Sequence, residues 1–347
     1  MSIPPRPESE RELLASDRLL AMGRRELRGY GAGWETMMGD FVLFAGTANP
    51  PLATATAAEL GVRLGACFTQ RFPDGETAVR LDEPVRGRDV FLVQPTAPPV
   101  NDHLVELLAL ADACRRSAAG RITAVVPYFG YARSDKRHGR REPITASLVA
   151  RMIQAAGIDH VLTLDLHAAQ IEGFFQIPVD ALTAVPTLTR ALRDRLSPDT
   201  VVVSPDTGRV KTATDFAHRL NTTVVVLHKR RTSGTETEVT HVVGDVAGRA
   251  CLIIDDMIST GGTIARAVEA VLAAGARPEI TVAATHGLFV GEARRLLAHE
   301  AVRAVVVTDT VACAEQPWPL LEVVSVAPLL AEAIRRLRAD GSLGDLY

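Results

Sequence analysis

From position 41 onward, short apolar runs alternate with longer stretches in which apolar residues recur every three or four positions. Residues 41–45, 89–94, 122–127, 160–164, 200–203, 223–227, 251–254, 279–284, 304–308 and 321–326 read as strands, being short, mostly apolar and bounded by turn residues. Residues 102–118, 145–156, 185–195 and 264–274 carry helical spacing between them. Short apolar strands that alternate with amphipathic helices predict parallel sheets covered by helices on both faces. So many strands exceed one comfortable sheet. The pattern therefore predicts an α/β chain of two similar halves, 41–184 and 185–326, divided where Pro186 punctuates the chain. Residues 327–347 close it with a helix over 328–337.

Residues 1–40 follow a different pattern. Residues 2–9 are Pro-rich. Residues 10–27 place Leu13, Leu14, Leu19, Leu20, Met22 and Leu27 among charges, the spacing of an amphipathic helix, and the glycines at 29, 31 and 33 break it. No strand precedes that glycine cluster, so it is a weak dinucleotide signal. The segment is either an inert extension or a subunit contact.

Composition narrows the class. The chain has 347 residues, enough for two ordinary domains, and 47% of them are hydrophobic while only 5% are aromatic, as in an α/β protein with buried parallel strands. A net charge of −3 gives no case for a nucleic-acid or membrane partner. No apolar stretch reaches membrane-spanning length, and no signal-peptide core is visible, which points to a cytoplasmic protein. Cys67, Cys114, Cys251 and Cys313 are widely spaced and read as free thiols.

The richest segment is 250–263. An apolar run ends in Asp255 and Asp256, and Ser259, Thr260, Gly261, Gly262 and Thr263 then lead into a helical stretch. A helix N-terminus offers unpaired N–H groups and a positive dipole end. Glycines let an anion approach the backbone, and hydroxyls add donors. The carboxylates suit the vicinal hydroxyls of a sugar, so the segment reads as a site for a sugar carrying a phosphate. Walker-type loops have a different spacing. Elsewhere, Arg133, Lys136, Arg137, Arg140 and Arg141 cluster behind Tyr128-Phe129-Gly130-Tyr131. That is either a solvated basic face or a site for an anion bearing an aromatic base. His167 and Asp206 each follow a predicted strand; two such ligands are too few for a closed zinc site and suit Mg²⁺ shared with substrate phosphates.

Segment 250–263 resembles the phosphoribosyl-pyrophosphate loop of type I phosphoribosyltransferases and of ribose-phosphate pyrophosphokinases. Further segments are similar to the second family alone: Pro127 through Arg137, which looks like its nucleotide signature; Asp165 through Phe175, its metal segment; Phe72-Pro73-Asp74-Gly75-Glu76; Val203-Ser204-Pro205-Asp206; and His228-Lys229-Arg230-Arg231. They fall in that family's order from about Phe41 to the C-terminus.

The resemblance implies a tandem of two phosphoribosyltransferase-like domains, each a mainly parallel sheet flanked by helices, with the last helix returned onto the first domain. It implies transfer of the diphosphoryl group of ATP to ribose 5-phosphate, with Mg²⁺ as cofactor near His167 and Asp206, in a homo-oligomer built from dimers, of which a hexamer is one form. It implies that Asp255 and Asp256 hold the ribose hydroxyls either directly or through a second Mg²⁺. It makes Lys229 and Arg231 the residues that stabilise the transferring group, on a lid with the polar stretch 232–235. Phe72, Asp74, Gly75 and Glu76 form a loop that crosses to a neighbouring subunit's adenine, and Arg133 meets the phosphates. Ser134 joins Arg133 on the ATP side but stands where the family usually has Gln, and Ser259 stands where Asp is common. Segment 207–211 departs from the family's more frequent Gly-Gly turn. The rival readings are a phosphoribosyltransferase, which the two domains and the Tyr-Phe-Gly-Tyr-Ala-Arg segment oppose, and a non-catalytic regulatory paralogue, which Lys229, Arg231 and Gly261-Gly262 oppose.

Overall fold

The computed structural model describes residues 41–137, 139–231, 237–313 and 317–347, with side chains described for the same residues other than 229–240. The helix expected over 10–27 and the lid stretch 232–235 lie outside the described residues.

The first half begins with strand β1 (Phe41–Ala45), whose buried centre Val42, Leu43 and Phe44 lies in the core. Helix α1 (Pro50–Leu60) follows; Asn49 caps it by accepting the Leu52 N–H at 3.2 Å, and Pro50 and Pro51 occupy positions where no N–H is needed. Strands β2 (Cys67–Arg71) and β3 (Thr77–Leu81) form a separate antiparallel hairpin. Then come β4 (Asp89–Val93), α2 (Val100–Arg116), β5 (Arg121–Val126), α3 (Thr145–Ala155), β6 (His160–Leu164) and β7 (Val179–Leu182). The sheet order is β1-β4-β5-β6-β7, and the β4, β5, β6 and β7 pairings are parallel.

The second half comprises α4 (Val185–Leu192), β8 (Val201–Ser204), α5 (Val210–Leu220), β9 (Val224–Arg231), β10 (Thr237–Val243), β11 (Cys251–Ile258), α6 (Gly262–Ala273), β12 (Ile280–Gly287), α7 (Ala293–Leu297), β13 (Val302–Thr308), β14 (Leu321–Val324) and α8 (Ala327–Arg338). Its sheet runs β10-β9-β8-β11-β12-β13-β14, parallel except for the β9/β10 ribbon. Each sheet has its own apolar core, one around Leu92, Leu107 and Ile153, the other around Ile253, Val268 and Val282. A smaller cluster of Ala97, Tyr128, Met257 and Val311 joins residues of both halves. Helix α8 packs on α1, and the Arg335 guanidinium donates to the Glu59 carbonyl.

All four cysteines are free thiols. Burial pushes Cys114 up to about 12 and Cys251 up to about 11, while Cys67 and Cys313 are only half-buried. Alkylation of the folded protein at mildly alkaline pH, read by peptide mass spectrometry, is expected to label Cys67 and Cys313 first and to spare Cys114 and Cys251 until unfolding. Early labelling of Cys114 or Cys251 would contradict this packing.

Candidate active site

In open parallel sheets, ligands bind beyond the carboxyl ends of the strands. Here one strand overruns its neighbour. β11 pairs with β8 only as far as Ile253 opposite Val203, yet continues beside β12 to Ile258 opposite Gly287. Asp255 and Asp256 therefore lie within the strand, four residues longer than the apolar run 251–254 suggested, because β12 goes on supplying hydrogen bonds after β8 has ended. Past β8, a turn of 3₁₀ helix (Thr207–Arg209) takes the vacated flank, with the Asp206 carboxylate accepting the Gly208 N–H at 3.0 Å.

After β11 the chain turns sharply into α6. Gly261 sits in the left-handed region at φ +79°, while Gly262 is already the first residue of the helix. A Cβ on Gly261 would lie 3.2 Å from backbone atoms of Ala293. The loop is pinned from β12, as the Leu288 N–H donates to the Ile258 carbonyl at 2.9 Å and the Val290 N–H to the Ser259 carbonyl at 3.0 Å. No side chain caps α6, so its first N–H groups remain free for an anion. The hydroxyls of Ser259, Thr260 and Thr263 border the same cavity of about 300 Å³.

Across that cavity stand His167, Asp206, Arg209 and Arg133. Asp256, only 6% exposed, is 2.8 Å from His167 Nδ1. The same nitrogen lies 2.8 Å from Arg209 Nη2, which can only donate, so Nδ1 is held between a donor and an acceptor, and both contacts orient the ring with Nε2 on its other side. Burial raises the Asp256 carboxyl. The hydrogen bonds with His167 and Asp255 and the charges of Arg209 and His167 outweigh it and hold it down at about 2. Asp255 goes the opposite way: burial, then the adjacent Asp256 charge, push it well above the usual carboxylate range, against the pull of Arg209. One of two adjacent buried carboxylates stays charged while the other resists ionisation.

The loop carrying His167 is held by Asp165. This residue has φ +36°, and its carboxylate accepts from Thr183 Oγ1 at 2.7 Å, from the Ala184 N–H at 2.9 Å and from Thr285 Oγ1 of β12 at 2.6 Å. The loop that follows β6 is thus tied to β12, whose end pins the turn before α6.

The fold brings Arg133, His167, Asp206, Asp255, Asp256 and Ser259 through Thr263 to one cavity. Other expected site residues lie elsewhere in the chain. Phe72, Asp74, Gly75 and Glu76 form the tip of the β2–β3 hairpin and do not border the cavity, and Phe72 is 42% exposed. Ser134 accepts the Thr145 N–H on its hydroxyl at 3.2 Å, which ties its loop to the start of α3. The side chains of Lys229 and Arg231 lie outside the described residues; their backbone belongs to β9. The sequence reading missed Arg209, whose side chain is buried among His167, Asp255 and Asp256. Its one signal was a cation in the turn directly after Asp206.

Residues 41–157 match the family described as the N-terminal domain of ribose phosphate pyrophosphokinase, and residues 234–347 match the phosphoribosyl synthetase-associated domain. The chain is 47% identical to the ribose-phosphate pyrophosphokinase of Chromobacterium violaceum over 89% of its own length and 95% of that protein's. It is 48% identical to that of Rhodopirellula baltica, over 89% and 99%. The crystal structure of phosphoribosylpyrophosphate synthetase from Mycobacterium smegmatis superimposes with a TM-score of 0.81 at 44% identity, covering 87% of this chain and all of the other.

Proposed function

We propose how this chain, which belongs to the ribose-phosphate pyrophosphokinase family and makes 5-phospho-α-D-ribose 1-diphosphate and AMP from ribose 5-phosphate and ATP, divides that reaction among its residues. The observation that carries the assignment is one strand–turn–helix that sets the half-buried Asp255 and the buried Asp256 beside an uncapped helix N-terminus. Ser259, Thr260, Gly261, Gly262 and Thr263 hold the 5-phosphate, and Asp255 and Asp256 hold the ribose hydroxyls. Arg133 faces the ATP phosphates. Lys229 and Arg231 meet the charge that grows on the transferring group. Phe72, Asp74, Gly75 and Glu76 reach the adenine of a neighbouring copy, which requires a homo-oligomer; in this reading it is built from dimers. The hairpin tip supports this, since it is exposed and stands apart from its own cavity.

The 1-hydroxyl oxygen of the sugar bonds to the β-phosphorus of ATP. The bond from that phosphorus to the α-phosphate oxygen breaks, AMP leaves, and the hydroxyl proton passes to solvent. Alignment and charge stabilisation supply the rate. The cofactor in this reading is Mg²⁺. Among the described residues, no group of three or more His, Cys, Asp and Glu side chains is arranged to hold a metal alone. His167, oriented through Nδ1 by Asp256, and Asp206 fit an ion completed by substrate phosphates. Bound there, Mg²⁺ neutralises phosphate charge. Among the described residues, no helix is long and apolar enough to cross a membrane; we place the protein in the cytoplasm, where its substrates are.

Incubation of the pure protein with ATP, ribose 5-phosphate and Mg²⁺ is expected to release AMP and the diphosphorylated sugar in equal amounts. A protein that instead consumes the diphosphorylated sugar with a nucleobase is a phosphoribosyltransferase. One that does neither, but alters an active synthetase, is a regulatory paralogue.

A further inference from the structure

Arg209 is the feature of the cavity that the assignment above leaves unused. Its side chain is only 12% exposed. Nη2 lies 2.8 Å from His167 Nδ1, donates to the His167 carbonyl at 3.0 Å and lies 3.2 Å from Asp256 Oδ1, and Nε lies 3.4 Å from Asp255 Oδ1. A guanidinium is always charged and presents its donors in a fixed fork. Here that fork spans both carboxylates assigned to the sugar. Asp256 is buried, a carboxylate charge left unpaired at that depth is costly, and the same fork reaches its neighbour Asp255.

We infer that Arg209 is a built-in cation that takes the place of a divalent ion on the sugar side of this site, so that ribose 5-phosphate binds without any metal. This inference rests on the assignment of Asp255 and Asp256 to the ribose hydroxyls. The guanidinium lies in the cluster that faces those hydroxyls, and it neutralises the carboxylates without dissociating. A metal in that position would be exchangeable, and its occupancy would follow the free ion concentration. The divalent ion that accompanies ATP, near His167 Nε2 and Asp206, is a separate requirement.

Calorimetric titration of ribose 5-phosphate into the full-length protein with a chelator present tests this. The wild type is expected to bind, with an affinity that added Mn²⁺ leaves unchanged, and its Mn²⁺ electron paramagnetic resonance signal without nucleotide is expected to remain that of the free ion. Arg209→Gly is expected to lose affinity by at least about tenfold in chelator and to regain it when one Mn²⁺ binds per chain. Arg209→Lys, which keeps a charge but not the fork, is expected to fall between them. A wild type that needs Mn²⁺ to bind the sugar phosphate overturns the inference, as does an Arg209→Gly protein that binds like wild type in chelator. Failure of the underlying assignment has a different signature. If Asp256→Asn and Gly261→Val both bind the sugar phosphate like wild type, the sugar site itself lies elsewhere.

Discussion

Gly261→Val is expected to weaken ribose 5-phosphate binding by about tenfold or more, because the turn that presents the N–H groups of α6 cannot keep its geometry. Two effects combine. Gly261 adopts φ +79°, a conformation that costs an L-residue roughly 1–2 kcal/mol and a β-branched one more. The new Cβ also meets backbone atoms of Ala293 at 3.2 Å, and backbone yields less readily than the end of a side chain. The turn must shift, and the first N–H groups of α6 shift with it. Gly262→Ala separates the causes. A Cβ there meets only Arg266 Nη1 at 3.5 Å and Thr260 Oγ1 at 3.9 Å, ordinary contacts in a helical conformation. That variant should keep wild-type thermal stability and lose affinity only by crowding the ligand. Titration calorimetry and a melting curve on both variants make the comparison. Wild-type affinity in Gly261→Val would move the phosphate cradle away from this turn.

Lys229→Ala is expected to lower kcat by about a hundredfold or more with little change in either KM, because one lost contact to charge that develops in transfer costs on the order of 3 kcal/mol. The backbone gives a reason for placing it on a moving element. β9 pairs with β8 only through Val224, Val225 and Val226, whereas residues 229–231 pair with β10 alone. They belong to a two-stranded ribbon that runs past the sheet, the sort of element that can close over a site and exclude water. Arg230→Ala is the control, since no role is assigned to it, and it should stay within a fewfold of wild type. Steady-state kinetics of AMP release reads both, and an unchanged kcat in Lys229→Ala would remove it from the mechanism.

Most strands of the two sheets were legible because their side chains are mostly apolar, whereas β7 and β10, each at the edge of its sheet, were not read. β6 is buried at every position, and an expected run over 160–164 coincides with it. The hairpin of β2 and β3 was not legible as strands, because it lies outside both main sheets and is at most half-buried, with no alternation to read. Helix α1 was missed behind Pro50 and Pro51, which read as breakers in a linear scan yet fit the first positions of a helix. The anion cradle could be read because its parts are contiguous in sequence. Arg209 could not, because His167 lies 42 positions before it and Asp255 and Asp256 far after it, and only the folded sheet brings them together.

The seating of α8 on α1 bears on how the chain is made. Arg335 and Glu59, which meet there, are 276 positions apart. During synthesis the first sheet emerges and pairs long before its covering helix exists, so the apolar face of α1 has to wait for almost the whole protein. Contacts of such long range form late and leave intermediates with uncovered apolar surface. A nascent chain halted before 327 is therefore a stickier species than the finished one, and the last helix serves as the closing step of biogenesis as well as a part of the fold.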